Sequence, residues 1–445
     1  MMDWNRLISA RRLGAGSENT DAERFNRTQF QRDYDRIIFS SPFRRMQNKT
    51  QVFPLPGSVF VHNRLTHSLE VASVGRSLGS MLSDRLLETG CRNPLIGELG
   101  AVVSAGCLAH DMGNPPFGHA GEEAISTYFR DRAGQELKDR LSPAEWTDLL
   151  YFDGNANALR LLSHRFYGRR PGGFALTYTT LASIVKYPYE SVGVDLPKFG
   201  FFQSEKELFL DIAGTLGLKR LAEDPLRYAR HPLVFLVEAA DDICYLIMDL
   251  EDAHRLKILD YETTAELLLN FYDPETDRAA YRKINEVFRV VTDRNERIAF
   301  LRAGVINRLV QECVGVFMEQ EPHILEGNSQ GPLIRRISRP SGEAMEEIRR
   351  LSVSRIYNDR SVVEIEVTGF QILGTLLDEF TRAVLSPGAG FSKRLLSLMP
   401  EQYQPAGRTV YGKIQSVVDF VSGMTDLYAL DLYRKIKGIS LPEIC

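Results

Sequence analysis

An all-α fold, with at most a small β-hairpin, is predicted for this 445-residue chain. Three observations carry that prediction. Val74, Leu78, Leu82 and Leu86 recur every four residues and make one buried helical stripe. Helix start and stop signals punctuate the chain, among them Ser142-Pro143-Ala144-Glu145 and the Gly113–Pro116 break. Strand-like alternation is confined to two short stretches.

Taken in order, the first alternating stretch is Gln51–Val61, which suits a hairpin around Gly57. The apolar stripe after His67 gives the first long helix. Residues from about Ile96 to Met112 form a second, apolar helix that Gly113 and the following prolines stop. Ser142 caps the next helix, with Pro143 at its first position and Glu145 closing a capping box. A long helix begins near Pro232 and runs to about Ala253. Ser361–Val367 alternates but equally opens a helix. Segments 322–342 and 386–408 are rich in Gly, Pro, Ser and Arg and read as long loops, a type often tied to function or assembly. There is no internal repeat and no low-complexity tract, so residues 1–445 are expected to form a single large helical unit.

Composition narrows the function class. With 44% hydrophobic and 25% charged residues the chain reads as an ordinary soluble globular protein. No run approaches the ~20 apolar residues of a membrane span, and the start lacks a signal-peptide core. Cys91, Cys107, Cys244, Cys313 and Cys445 are odd in number and scattered, without a Cys-x-x-Cys pair. That pattern argues against a disulfide framework or a cysteine zinc site and fits a reducing cytoplasm. The net charge of −4 argues against wholesale nucleic-acid coating. An anionic small-molecule substrate stays open, because a metal and a local cluster invert the field inside a cleft.

The stretch Leu108-Ala109-His110-Asp111-Met112-Gly113-Asn114, continuing through His119 to Glu123, holds two of the chain's eight histidines. A hydrolytic metal site needs several fixed ligands from different helices, with positions left open for water and substrate. His67, His110, Asp111 and either Asp241 or Asp242 supply such a set. Alone, His67 is a capping or core histidine and His110-Asp111 a helix C-terminal pair. Asp241 and Asp242, however, interrupt an otherwise apolar helix, and buried carboxylates are normally paired or bound to metal. Residues four apart share a helical face, so Asp241, Tyr245 and Asp249 form one polar stripe. Asp242 points about 100° away. Asp241 is therefore the expected ligand.

These residues sit inside an ordered series of blocks. It opens with Phe30–Phe53 and continues with Arg64-Leu65-Thr66-His67, His110–His119 and Phe152-Asp153-Gly154-Asn155-Ala156-Asn157. Val185-Lys186-Tyr187-Pro188, Glu238–Asp242 and Ser422-Gly423-Met424-Thr425-Asp426 follow. Over nearly its full length the chain resembles the HD-domain deoxynucleoside triphosphate triphosphohydrolases, the dGTPase family. The resemblance implies an HD metal-hydrolase core at 60–255 and a C-terminal helical extension at 256–445 that serves assembly. It implies hydrolysis of a dNTP, such as dGTP, to a deoxynucleoside and tripolyphosphate. His67, His110, Asp111 and Asp241 would hold a divalent cation, manganese, magnesium or another transition metal. His119 and Glu122 would be the catalytic pair. Gln51, Tyr245 and Asp249 would read the deoxyribose, Arg64, Lys186 and Tyr187 would touch phosphates, and Asn114 the α-phosphate. A homo-oligomer, a hexamer, is implied as well. The chain departs from the family pattern at Phe39, Asp153 and Leu427, none of them a ligand position.

The local chemistry agrees with the implied pair. His119 and Glu122 lie three apart on one helical face, so the carboxylate orients the imidazole and raises its basicity. Expelling the 5′ oxygen from the α-phosphorus makes an alkoxide, a poor leaving group that calls for a general acid. A phosphodiesterase or 5′-nucleotidase of the same superfamily would use the same metal ligands. So would a non-catalytic assembly that binds dNTPs or single-stranded nucleic acid.

Overall fold

The computed structural model describes residues 1–14, 27–53, 61–193, 198–329, 331–404 and 408–440. Nine helices position the site. Helix α1, Arg64–Glu88, starts at Asn63, whose side chain accepts the Thr66 amide while the Thr66 hydroxyl accepts the Asn63 amide. That reciprocal cap fixes the first turn, which carries Arg64 and His67. Val74, Leu78, Leu82 and Leu86 are buried along α1 as the four-residue spacing predicts.

Helix α2 spans Leu99–Ala109, shorter than the expected 96–112. Its entry is a 3₁₀ turn at Ile96–Glu98, and residues 110–113 fold as turns beyond its end. A Cβ on Gly79 would lie 2.6 Å from the Leu99 carbonyl, so this glycine sets the close approach of α1 to α2. Helix α3, Gly118–Asp131, follows a left-handed Phe117 (φ 63°). The Ser142 capping box forms as expected and opens the helix Pro143–Leu150. Helix α4, Gly154–Ser163, is capped by Asp153. Helix α5, Pro232–Arg255, has proline at its first position and His231 accepting the Leu233 amide. Then come α6, Arg294–Glu326, α7, Arg360–Leu385, α8, Val410–Ser422, and α9, Asp426–Ile436.

Several expectations need correction. Segment 322–342 is not a long loop. Helix α6 runs through Pro322 to Glu326, because Ile324 and Leu325 bury its last turn. Tertiary burial here outweighs the proline's missing donor. A 3₁₀ turn at Leu333–Arg335 and a helix at Ser341–Leu351 fill the rest. Segment 386–408 likewise holds a helix, Gly390–Leu396, anchored by the buried Leu395, Met399 and Tyr403. Ser361–Val367 is helical, the start of α7. The tip of the expected Gln51–Val61 hairpin, residues 54–60, lies outside the described residues, although Thr50 and Asn63 form an antiparallel bridge at its base. Among the described residues the sheet is elsewhere: β1, Arg220–Glu223, pairs antiparallel with β2, Leu226–Tyr228.

Two apolar cores result. One gathers α1, α2, α5 and α6, with Leu78, Val103, Leu236 and Phe317 inside it. The other gathers α3 with α7, α8 and α9 around Phe129, Phe380, Phe420 and Leu432. Helix α3 belongs by sequence to the 60–255 segment, yet it packs with the C-terminal helices. The second core therefore crosses the expected 255/256 boundary. Among the described residues, no helix is long and apolar enough to cross a membrane.

Candidate metal centre and active site

Three helices of the first core converge on one polar cluster. His67 comes from the first turn of α1, His110 and Asp111 from the end of α2, and Asp241 from the middle of α5. Asp241 Oδ1 lies 3.1 Å from His67 Nε2 and 3.4 Å from His110 Nε2. His110 Nε2 is 3.6 Å from Asp111 Oδ1. One donor atom each from His67, His110 and Asp111 falls within a 4.8 Å span.

The orientation of His110 shows what this cluster accepts. Its Nδ1 donates to the Cys107 carbonyl at 2.6 Å, so Nε2 is the ring atom turned toward the carboxylates and the one that could ligate a metal. That nitrogen is buried and makes no well-directed hydrogen bond. Burial alone would lower the His110 pKa, but Asp111 and Asp241 outweigh it and hold it up at about 9. Burial also works against the charge on Asp241, yet His110 and His67 keep its carboxyl well below the ordinary range. Carboxylate oxygens and imidazole nitrogens facing one point, with the imidazole pKa raised and the carboxyl pKa lowered, favour positive charge between them. Two imidazole nitrogens and two carboxylates fit a divalent cation there.

Asp241 and Asp242 differ as their helical phase requires. Asp241 faces the imidazoles, whereas Asp242 lies on the cavity wall with Oδ2 buried and unpartnered. Burial, together with the charge on Asp241, pushes Asp242 up to about 7.

Beyond the Pro115-Pro116 turn, the start of α3 presents a second group. His119 Nδ1 sits 2.8 Å from Glu122 Oε2, and Glu122 Oε1 accepts the Gly154 amide at 2.7 Å. Both carboxylate oxygens are thereby used. The Glu122 side chain is 11% exposed and that of His119 79%. The hydrogen bond to Glu122 outweighs burial and raises the His119 pKa. Burial opposes the charge on Glu122, but His119 and Lys198 overcome it and lower the carboxyl pKa. Nδ1 is committed to Glu122, so the free edge of the ring is Nε2.

A cavity of about 330 Å³ joins the two groups. Gln51, Arg64, Asn114, Lys186, Tyr187 and Tyr245 line it together with His110, Asp111, His119, Glu122 and Asp241. Arg64 Nη1 pairs with Asp111 Oδ2 at 2.5 Å, and Asn114 Nδ2 donates to Asp111 Oδ1 at 2.5 Å. Lys186 pairs with Glu238 at 3.0 Å, which raises its pKa against the effect of burial. His67 stands behind the wall, against Asp241.

Asp249, expected to touch the sugar, is not on that wall. It lies two turns beyond Asp241 along α5, about 12 Å away at 1.5 Å per residue. It is buried, and Oδ2 accepts the Tyr357 hydroxyl at 2.9 Å. Burial pushes its carboxyl well above the ordinary range. The Tyr357 ring in turn stacks on Tyr245, with centroids 5.7 Å apart and planes 29° apart.

Sequence reasoning missed Tyr357 and Lys198. Lys198 lines the cavity, 3.4 Å from Asp153 Oδ2 and 4.0 Å from Glu122 Oε2. A lysine and a tyrosine in connecting segments carry no periodic signal. Volume alone would have chosen another place. A larger cavity, about 620 Å³, lies among Phe39, Arg45, His164 and Arg170, away from the metal-type cluster. The donor set, not size, selects the site.

A His-His-Asp cluster on bundled helices, with a histidine–carboxylate pair across the cavity, defines the class of HD metal-dependent phosphohydrolases. Residues 64–146 match the HD domain, and residues 336–435 match the phosphohydrolase-associated domain. A Synechocystis protein named deoxyguanosinetriphosphate triphosphohydrolase-like is 40% identical over 99% of this chain and all of its own length. A Pseudomonas aeruginosa protein of the same name is 37% identical over the same shares. A deoxyguanosinetriphosphate triphosphohydrolase of Yersinia enterocolitica is 28% identical over 98% of this chain and 99% of its own. The chain belongs to the deoxyguanosinetriphosphate triphosphohydrolase-like family of HD phosphohydrolases.

Proposed function

We propose that this protein hydrolyses deoxynucleoside triphosphates to a deoxynucleoside and tripolyphosphate. The observation that carries the reading is the His119–Glu122 pair on the same cavity as the His110, Asp111 and Asp241 donors. His67, His110, Asp111 and Asp241 would hold the divalent ion, manganese, magnesium or another transition metal. When bound, that ion supplies Lewis acidity toward a phosphate oxygen and acidifies water.

The chain's own residues do the rest. Arg64, Lys186 and Tyr187 receive the phosphates, and Asn114 contacts the α-phosphate. Water adds through its oxygen to the α-phosphorus and releases one proton to solvent, as the bond from phosphorus to the 5′ oxygen breaks. Protonated His119 delivers its proton from Nε2 to that oxygen, so the leaving group departs as an alcohol. Glu122 orients the ring through Nδ1 and keeps it cationic until the transfer. Gln51 and Tyr245 meet the deoxyribose. The Tyr245 ring, backed by Tyr357 and Asp249, leaves no room for a 2′ hydroxyl, which favours deoxy over ribo substrates.

The deciding experiment incubates the protein with each of the four dNTPs and with GTP, in manganese or magnesium, and identifies the products. Deoxynucleoside and tripolyphosphate are expected, with GTP spared. Release of pyrophosphate or orthophosphate would assign a different HD hydrolase chemistry, and no turnover would leave a binding assembly. Homo-oligomerisation, as a hexamer, is part of the proposal. Light scattering on the purified protein measures it.

A further inference from the structure

Three chain segments far apart in sequence meet under the loop between Asp111 and His119. Asp426, the first residue of α9, accepts two backbone amides. Its Oδ2 takes the Thr50 N–H at 2.8 Å and its Oδ1 the Phe117 N–H at 3.0 Å. Lys49 Nζ donates to the Asn114 carbonyl at 2.6 Å and to the Ser422 carbonyl at 2.9 Å. Asn157 Nδ2 adds bonds to the Gly113 carbonyl at 2.7 Å and the Ser422 Oγ at 3.2 Å. Lys49 is 3% exposed and Asp426 6%.

We infer that Asp426 and Lys49 are positioning residues, a latch by which the C-terminal segment 422–426 holds the 113–118 loop and so aims His119. The inference rests on the proposal that His119 is the general acid. Phe117 is where the latch acts on geometry. Its backbone is left-handed, and it directly precedes the first residue of α3. A rotation at Phe117 would swing the whole first turn, His119 included. Asp426 fixes the Phe117 amide, and the Phe117 ring packs on Gly369 of α7, where a Cβ would come within 2.5 Å of it. The same carboxylate ties down Thr50, next to Gln51 on the cavity wall. His119 is therefore seated by α3 and by the helices that flank residues 422–426.

The buried ammonium of Lys49 is desolvated among Arg45 and Arg64, which bring its pKa down to about 7. It satisfies two carbonyls, one of them at the C-terminal end of α8, where a cation suits the exposed carbonyls.

Asp426→Asn and Lys49→Met test the assignment in the full chain, with manganese and dGTP. Asparagine keeps the shape but sets an NH₂ against one of the two amide donors. Methionine fills the lysine's volume without its donors. In both, kcat per folded, manganese-loaded site should fall at least about tenfold, because small misplacements of a catalytic group are costly. Manganese content should stay within about twofold of the parent, and any rise in KM should be smaller than the fall in kcat. A kcat within about twofold of the parent in both variants overturns the latch, whatever happens to Tm. His119→Ala separates this outcome from failure of the general-acid reading, because it tests that reading with Asp426 intact. Hydrogen exchange on the unmodified protein gives a readout independent of turnover and of variant folding. The 111–119 segment should exchange as slowly as the end of α8, and fast, loop-like exchange there also overturns the proposal.

Discussion

His67, His110, Asp111 and Asp241 are brought together from three helices, while His119 and Glu122 share one turn of one helix. The first group sits against an apolar core and its members face one another. In the second, Glu122 is buried and His119 stands 79% exposed at the tip of α3. The long-range group is rigid because α1, α2 and α5 are packed along their lengths. The local pair needs only an i, i+3 spacing to form, but that spacing does not say where the pair points. Aim has to come from outside the helix, which is the role assigned to the 422–426 segment.

The largest expected effect lies in the long-range group. Asp241→Ala removes the carboxylate that both imidazoles face. Metal should drop well below one equivalent by elemental analysis, and turnover should fall by at least about a thousandfold. Full turnover with full metal content would dissolve the distinction between the two groups. His119→Ala comes next. It should keep the metal and lose about 10²- to 10⁴-fold in kcat, the usual contribution of general acid catalysis. Loss of metal in this variant would mean the two groups are one site.

How much of this was legible follows the same divide. The four-residue spacing separated Asp241 from Asp242 because a helix converts sequence spacing into direction. The three-residue spacing likewise paired His119 with Glu122. Spacing did not carry Asp249 to the cavity wall: it lies two turns beyond Asp241 and about 80° further round the helix, where it meets Tyr357 instead. Spacing was also silent about Tyr357, about Lys198 and about the Lys49–Asp426 latch, whose members are more than 300 residues apart. No local pattern encodes such a meeting. The segments 322–342 and 386–408 show the same limit in the fold. Their Gly, Pro and Ser content reads as loop until Leu325, Leu395 and Tyr403 find a core to bury in.

Glu122→Gln sharpens the comparison by touching aim and acidity together. Glu122 raises the His119 pKa, and the general acid works only while protonated. Activity in the parent should therefore decline as pH rises through that raised pKa. Removing the carboxylate charge moves the decline to lower pH, with kcat at neutral pH falling roughly ten- to a hundredfold. Metal content should not change. A pH–rate profile of kcat for the two proteins decides the point. An unmoved alkaline limb would mean that some other group, nearer the metal-type cluster, controls it.

The smallest effect is expected at the edge of the first core, behind the proposed sugar site. Tyr357 comes from the C-terminal half, stacks on Tyr245 and donates to the buried Asp249. Tyr357→Phe keeps the ring and removes only the hydroxyl. Losing one buried hydrogen bond costs about 1 kcal/mol of stability, visible in a chain of this length as a drop of about one degree in Tm. Stacking survives, so kcat and metal content should hold. KM for dGTP should rise by only about threefold, because Tyr245 is backed less firmly where it lines the cavity. The ratio of dGTP to GTP turnover is the sensitive readout. If Tyr245 excludes the 2′ hydroxyl by shape, the ratio falls when its support loosens, while the pH profile set by His119 stays in place. A ratio unchanged in this variant, with the Tm lowered as expected, would make Tyr357 a packing residue and leave sugar selection to Tyr245 and Gln51 alone.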